Sequence, residues 1–154
     1  MKKVSLDVWI QLLGMISVLA GLIFVGLELQ QSQRIAVAAQ QQDRAAITND
    51  IINAFYEVDV DFQYTYFERD FSYELSTEEI AYRNAIHKAW FLYENDFYQY
   101  GQGLMDESTW QAKLNGIQQI YNYCDVRNIY NSRAQIFSLE FRNIVNSLPD
   151  NCLN

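Results

Sequence analysis

One proline, six glycines, two cysteines and one histidine are scattered through 154 residues. So little proline and glycine leaves few of the breaks that loop-rich or all-β folds need, and directs the chain toward helix. Basic residues are also scarce. Eleven Lys and Arg stand against 19 Asp and Glu, for a net charge of −8, and no compact basic cluster offsets it. A phosphate backbone is repelled by such a chain, so nucleic acid is not an expected partner. Two cysteines and one histidine cannot supply a four-ligand zinc site unaided, and no Cys-x-x-Cys spacing exists. Structural zinc and thioredoxin-like redox chemistry are set aside on that count, and no metal or cofactor is expected.

What is abundant is apolar surface. Half the residues are hydrophobic, with nine Phe, eleven Tyr and three Trp, more than a disordered chain carries. The longest apolar stretch, Val8 to Leu27, contains no charge, and only Gln11 and Ser17 in it are polar. A helix rises about 1.5 Å per residue, so such a run covers the roughly 30 Å of hydrocarbon in a bilayer. As a buried core helix it would need cover on every side, which a chain of this size cannot provide. A cleaved secretory signal is a second reading, with Lys2 and Lys3 as its charged start and Ala36-Val37-Ala38 as its cleavage site. That tripeptide, however, lies beyond Glu28 and Arg34, and the run exceeds a typical signal core. The expectation is an uncleaved anchor. Lys2 and Lys3 precede it and Arg34 is the first positive charge after it, which places the amino end in the cytoplasm.

Within the span Gly14, Ser17 and Gly21 fall on one helix face, and the same rhythm reaches Asp7 before and Glu28 after. Small residues let helices approach closely in lipid, so this face is the candidate for self-association, with a pore mouthed by Glu28 as a remoter reading. Glycine and serine are also common in single spans without any such role.

After Glu28 no glycine or proline appears until Gly101, so the helix is expected to run on into water. A weak stripe of Ile35, Ala38, Ala39, Gln42, Ala45 and Ala46 suits a stalk. Val58, Val60, Phe62, Tyr64 and Tyr66 then alternate with polar residues, as a half-buried strand does. No second run alternates comparably, so the segment is assigned to an irregular or helical connection. Ser76 with Glu79 forms a capping box, and Ile86, Trp90, Tyr93, Phe97 and Tyr100 define the apolar face of the helix it opens. Gly101-Gln102-Gly103 ends that helix. Asp106 or Ser108 caps the next, Asp125 to Ser132 continues it or stands alone, and Ser138 caps a last helix stopped by Pro149. The expected fold is all-α: an anchor over residues 1–29, a helical stalk over 30–57, a connection over 58–75 and a bundle of three or four helices over 76–154.

Candidate chemistry is sparse. His87 shares a helix side with Arg83 and Glu94, which would serve a general base, though a histidine at the bundle edge paired with a neighbour is the commoner outcome. Asp59, Asp61, Gln63 and Asp70 echo a calcium loop, but Tyr64 stands where glycine is needed, and a solvated acidic edge fits better. Serine, histidine and aspartate occur without a Gly-x-Ser-x-Gly elbow. No catalysis is therefore expected. The aromatic density around Tyr93, Glu94, Asn95, Tyr98 and Tyr100 suggests a ligand wall, with plain core packing as its rival. Cys124 and Cys152 fit either a disulfide in an oxidising compartment or two unrelated thiols.

The runs Tyr93-Glu94-Asn95, Tyr98-Gln99-Tyr100, Gly103-Leu104, Trp110 and Phe137-Ser138-Leu139-Glu140-Phe141-Arg142 resemble an uncharacterised family of small bacterial proteins with an amino-terminal span and a helical carboxyl-terminal domain. Tyr130 and Leu139 depart from the tryptophan and proline usual there. The resemblance implies a single span in the bacterial inner membrane and carries no functional residue; the charge bias at Lys2 and Lys3 then puts the bulk of the chain in the periplasm or cell exterior. The expected role is an interaction or scaffolding module whose partners are the bilayer and a second copy or another membrane protein. The alternative is a tethered sensor of a small apolar or aromatic ligand.

Overall fold

The computed structural model describes residues 5–152. Lys2 and Lys3, on which the expected orientation rests, lie outside the described residues. Helix is the only regular secondary structure among the described residues, as the composition leads one to expect, and the chain falls into two units, Met1–Val37 and Ala38–Asn154.

The first unit is a single apolar helix. Helix α1 runs from Leu6 to Glu57, and none of its apolar stretch is buried by protein. It is long and apolar enough to cross a membrane, which makes it compatible with an anchor. Ser17 Oγ donates to Leu13 O at 2.8 Å, so the polar side chain mid-span is satisfied within its own helix.

The second unit begins inside the expected stalk. Ala38 and Ile52 are buried, and Gln41, Ala45, Thr48 and Asn49 are half-buried between them. The inward stripe therefore follows 38, 41, 45, 48 and 52, whereas Ile35, Ala39, Gln42 and Ala46 face outward. The stalk expected over residues 30–57 is thus corrected in its second half, which packs as a bundle helix. Small and amide side chains suffice because α2 (Thr77–Gly101) meets this stripe with polar atoms: Gln99 Nε2 donates to Ala38 O and Lys88 Nζ to Asn53 Oδ1.

Helix α1 stops without glycine. Asp59 takes the left-handed conformation at φ 53°, Val60 N–H donates to Phe55 O and Asp59 N–H to Tyr56 O. Helix α2 ends in the same double bond, with Gly103 at φ 72°, Leu104 N–H on Gln99 O and Gly103 N–H on Tyr100 O. Both are the closing turn in which a left-handed residue lets two amides reach back to orphan carbonyls. Aspartate is among the few non-glycine residues that accept this conformation at small cost. After Asp59 the connection winds through a wide turn at Gln63–Glu68 and an irregular stretch to Ser76. Ser76 and Glu79 form the reciprocal capping box expected of them.

Helices α3 (Glu107–Tyr121), α4 (Arg127–Arg133) and α5 (Leu139–Asn146) complete the bundle, with Asp106 and Ser138 accepting from the first-turn amides of α3 and α5. Its core is aromatic: Trp90, Trp110, Tyr121, Tyr130, Phe137 and Phe141 pack with Ile86, Ile117, Ile129 and Val145. Tyr93 lies on Gly116 of α3, where any Cβ would collide with the phenol oxygen. The carboxyl-terminal tail is held back onto the bundle. Cys124 and Cys152 form a disulfide, and Arg127 makes two bonds to the Asp150 carboxylate, at 2.7 and 2.9 Å, while lying over the Tyr121 ring. The Arg127 bonds, with the Cys152 amide, hold Asp150 down at a pKa of about 2. Closing a loop of 28 residues' separation stabilises the fold by about 3.5 kcal/mol.

Candidate functional site

Helix α2 has two buried faces of opposite character. Ile86, Trp90 and Phe97 look toward the aromatic core, while Arg83, Asn84, His87, Phe91, Glu94 and Asn95 form a second, mostly polar stripe. The spacing of Arg83, His87, Phe91 and Glu94 is that of one helix side.

At its start this stripe clamps the connection. Arg83 Nε donates to Asp61 Oδ2 at 2.8 Å, Tyr64 N–H donates to Asp61 Oδ1 at 2.7 Å, and Asp61 is fully buried. Asn84 next door accepts from Phe62 N–H and donates to Val60 O, both at 2.9 Å. Asp61 therefore belongs to no solvated acidic edge. Its carboxylate is already engaged, and the winding of Gln63–Glu68 leaves no calcium-type loop there.

The clamp brings two rings over His87. Phe62 meets it edge-on at 4.9 Å and Phe67 stacks on it at 5.7 Å. His87 is fully buried, and neither ring nitrogen has a hydrogen-bond partner, which corrects the expectation of a paired histidine at the bundle edge. Burial, reinforced by the Arg133 and Arg83 guanidiniums, pushes its pKa down to about 2, so the ring is neutral throughout the physiological range.

A depressed histidine pKa has a definite sign. Below its ordinary value of 6.5 the unfolded chain binds a proton that the folded chain refuses. The stabilising contribution of neutral His87 is complete above that value and falls by about 1.4 kcal/mol per pH unit as the pH drops toward 2. Glu94 has the opposite sign: burial raises its pKa against the pull of Arg133, so acid relieves its cost. Between pH 6.5 and pH 5 the parent chain is expected to lose about 2 kcal/mol to His87 alone. His87→Leu should flatten that slope in thermal unfolding of the intact chain. An unchanged slope in the variant would remove His87 as its source.

Arg133 of α4 lies on the same side of α2. It is fully buried, its guanidinium rests 3.5 Å from the Phe91 ring centroid, and Glu94 Oε2 approaches Nη2 at 3.8 Å, too far for a hydrogen bond. All three of its guanidinium nitrogens lack a hydrogen-bond partner, and burial lowers its pKa to about 10. Beside it a cleft of about 250 Å³ opens between α1 and α2, lined by Gln41, Arg44, Ala45, Thr48, Phe91, Glu94 and Asn95.

The structure thus divides the expected ligand wall. Glu94 and Asn95 line the cleft, and Tyr98 follows Glu94 by one turn. Tyr93 packs against α3 and the core, and Tyr100 stacks on Trp110 at 5.1 Å with its hydroxyl donated to Glu107. Asp61 stood out in the sequence only as part of a calcium-loop echo and Arg133 not at all; both meet α2 through long-range packing. Gly14, Ser17 and Gly21 lie on exposed helix with nothing packed against them.

Comparison of the chain with known protein families, curated proteins and solved structures finds no match.

Proposed function

We propose that the first half of α1 anchors the protein in a membrane and that the helical unit beyond it is an interaction or scaffolding module outside the cytoplasm, with chains associating through Gly14, Ser17 and Gly21. The observation that carries this reading is the bare apolar half of a helix whose second half is packed into a folded unit. Uncovered apolar surface of that length is stable only in lipid or against another apolar helix. The disulfide at Cys124 and Cys152 supports an oxidising compartment, and Lys2 and Lys3 support an amino end on the cytoplasmic side. Self-association is supported by the absence of any Cβ at two of the three positions on that face and by the internal bond that leaves Ser17 without unmet demand. The bacterial inner membrane is the location that the family resemblance implies.

A sensor of apolar or aromatic ligands has less support, because the bundle's rings face one another and the cleft beside Glu94 is lined largely by polar side chains. The reading assigns no catalysis.

The test uses the intact chain in native membranes. Resistance to alkaline extraction and digestion of the Ala38–Asn154 unit by protease added from outside are the expected results; release into the soluble fraction would reject the anchor. For association, donor- and acceptor-labelled chains in lipid vesicles should transfer energy, and Gly14→Leu with Gly21→Leu should weaken the dimer by about tenfold. A parent chain that shows no transfer at any density would reject self-association and leave the anchor standing.

A further inference from the structure

The cleft between α1 and α2 carries charges of opposite sign on its two walls. Arg44 stands on the α1 wall with no ion-pair partner among the described residues, and Glu94 stands on the α2 wall with Arg133 behind it. Asn95, also on the α2 wall, is nine-tenths buried, and its Oδ1 has no hydrogen-bond partner. Thr48 gives its hydroxyl proton to Arg44 O at 3.0 Å and is left as an acceptor. A buried amide oxygen left without a partner carries a desolvation cost. A molecule that engages such a group recovers part of that cost.

We propose that this cleft binds a small zwitterion of the α-amino acid class, its carboxylate on Arg44 and its ammonium on Glu94 and Asn95 Oδ1. A lone cation would face Arg44, and a lone anion would face Glu94. One molecule carrying both charges a few ångströms apart meets both walls with the correct sign. The acceptors on the α2 side and Thr48 call for N–H donors, so a primary ammonium fits and a quaternary one does not. About 250 Å³ accommodates a molecule of this size, with a short side chain against Phe91. This site is independent of whether the anchor self-associates.

The test is thermal unfolding of the full chain in lipid discs with each of the standard amino acids at millimolar concentration, followed by calorimetric titration of the strongest. At least one should raise the melting temperature saturably. Its carboxamide and its trimethylammonium derivative should each bind about ten- to a hundredfold more weakly, as should the parent ligand to Arg44→Gln and to Glu94→Gln. Arg44 is exposed, so Arg44→Gln decides the matter if Glu94→Gln fails to fold. No shift with any amino acid overturns the proposal, as does undiminished binding to Arg44→Gln. Full affinity retained by the carboxamide would identify a cation site and overturn it equally.

Discussion

Trp90→Ala is expected to destabilise the helical unit by about 3–5 kcal/mol and to lower its melting temperature by roughly 10–20 °C. Trp90 is 1% exposed and lies midway along α2, the helix against which both α3 and α4 pack. Its indole sits 5.0 Å from the Tyr130 ring and 6.0 Å from that of Phe137, which in turn stacks edge-on against Phe141 of α5. One side chain therefore joins α2 to α4 and to the segment that leads into α5. Alanine would remove the largest fully buried side chain and open a void lined by rigid rings that cannot collapse inward. One neighbour separates this effect from a general sensitivity of the helix. Leu92→Ala, at a position 48% exposed on the same turn, should change stability by no more than about 0.5 kcal/mol. Thermal unfolding of the intact chain, followed by tyrosine and tryptophan near-ultraviolet dichroism, reports the unit's packing without contribution from the anchor's backbone. A loss below about 1 kcal/mol would mean that the aromatic core does not bear on stability as its packing implies.

The residues that made the bundle legible are those whose physics is local. Ser76 and Glu79 cap α2 through each other, Asp106 and Ser138 cap α3 and α5, and the apolar spacing of Ile86, Trp90 and Phe97 depends only on helical period. The residue that closes α1 was hidden, because it is Asp59, and aspartate at φ > 0 has no compositional mark comparable to glycine. The stripe at Ala38, Gln41, Ala45, Thr48 and Ile52 was hidden for a related reason. Its polar members are buried because Gln99 and Lys88 of α2 bond across to this helix, and a hydrophobicity pattern cannot register burial that is driven by hydrogen bonds. At the candidate cleft the sequence carried Glu94 and Asn95 but attached them to Tyr93 and Tyr100, which the helix turns toward α3. Arg44 and Arg133, 50 and 39 positions from Glu94, enter through tertiary packing alone.

The Asp61–Arg83 pair tests how the polar face of α2 is held. Asp61→Asn preserves volume and the bond from Tyr64 N–H but leaves Arg83, 8% exposed, without its counter-charge. Removing one member of such a pair costs about 3–5 kcal/mol, most of it the desolvation of the surviving charge. The double variant Asp61→Leu with Arg83→Met should recover most of the loss, since a desolvated pair is worth little more than well-packed apolar side chains of like size. The consequence extends to His87. Asp61 secures the segment whose Phe62 and Phe67 rings seal the imidazole, so freeing that segment admits water to a ring that has no other partner. In Asp61→Asn the His87 pKa should rise toward its ordinary value and the acid-dependent loss of stability should shrink. In the apolar double variant the seal is restored and the steep acid slope should return. If Asp61→Asn loses stability yet keeps the slope of the parent, the pair acts on the fold alone, and the burial of His87 rests on Asn84 and the rings.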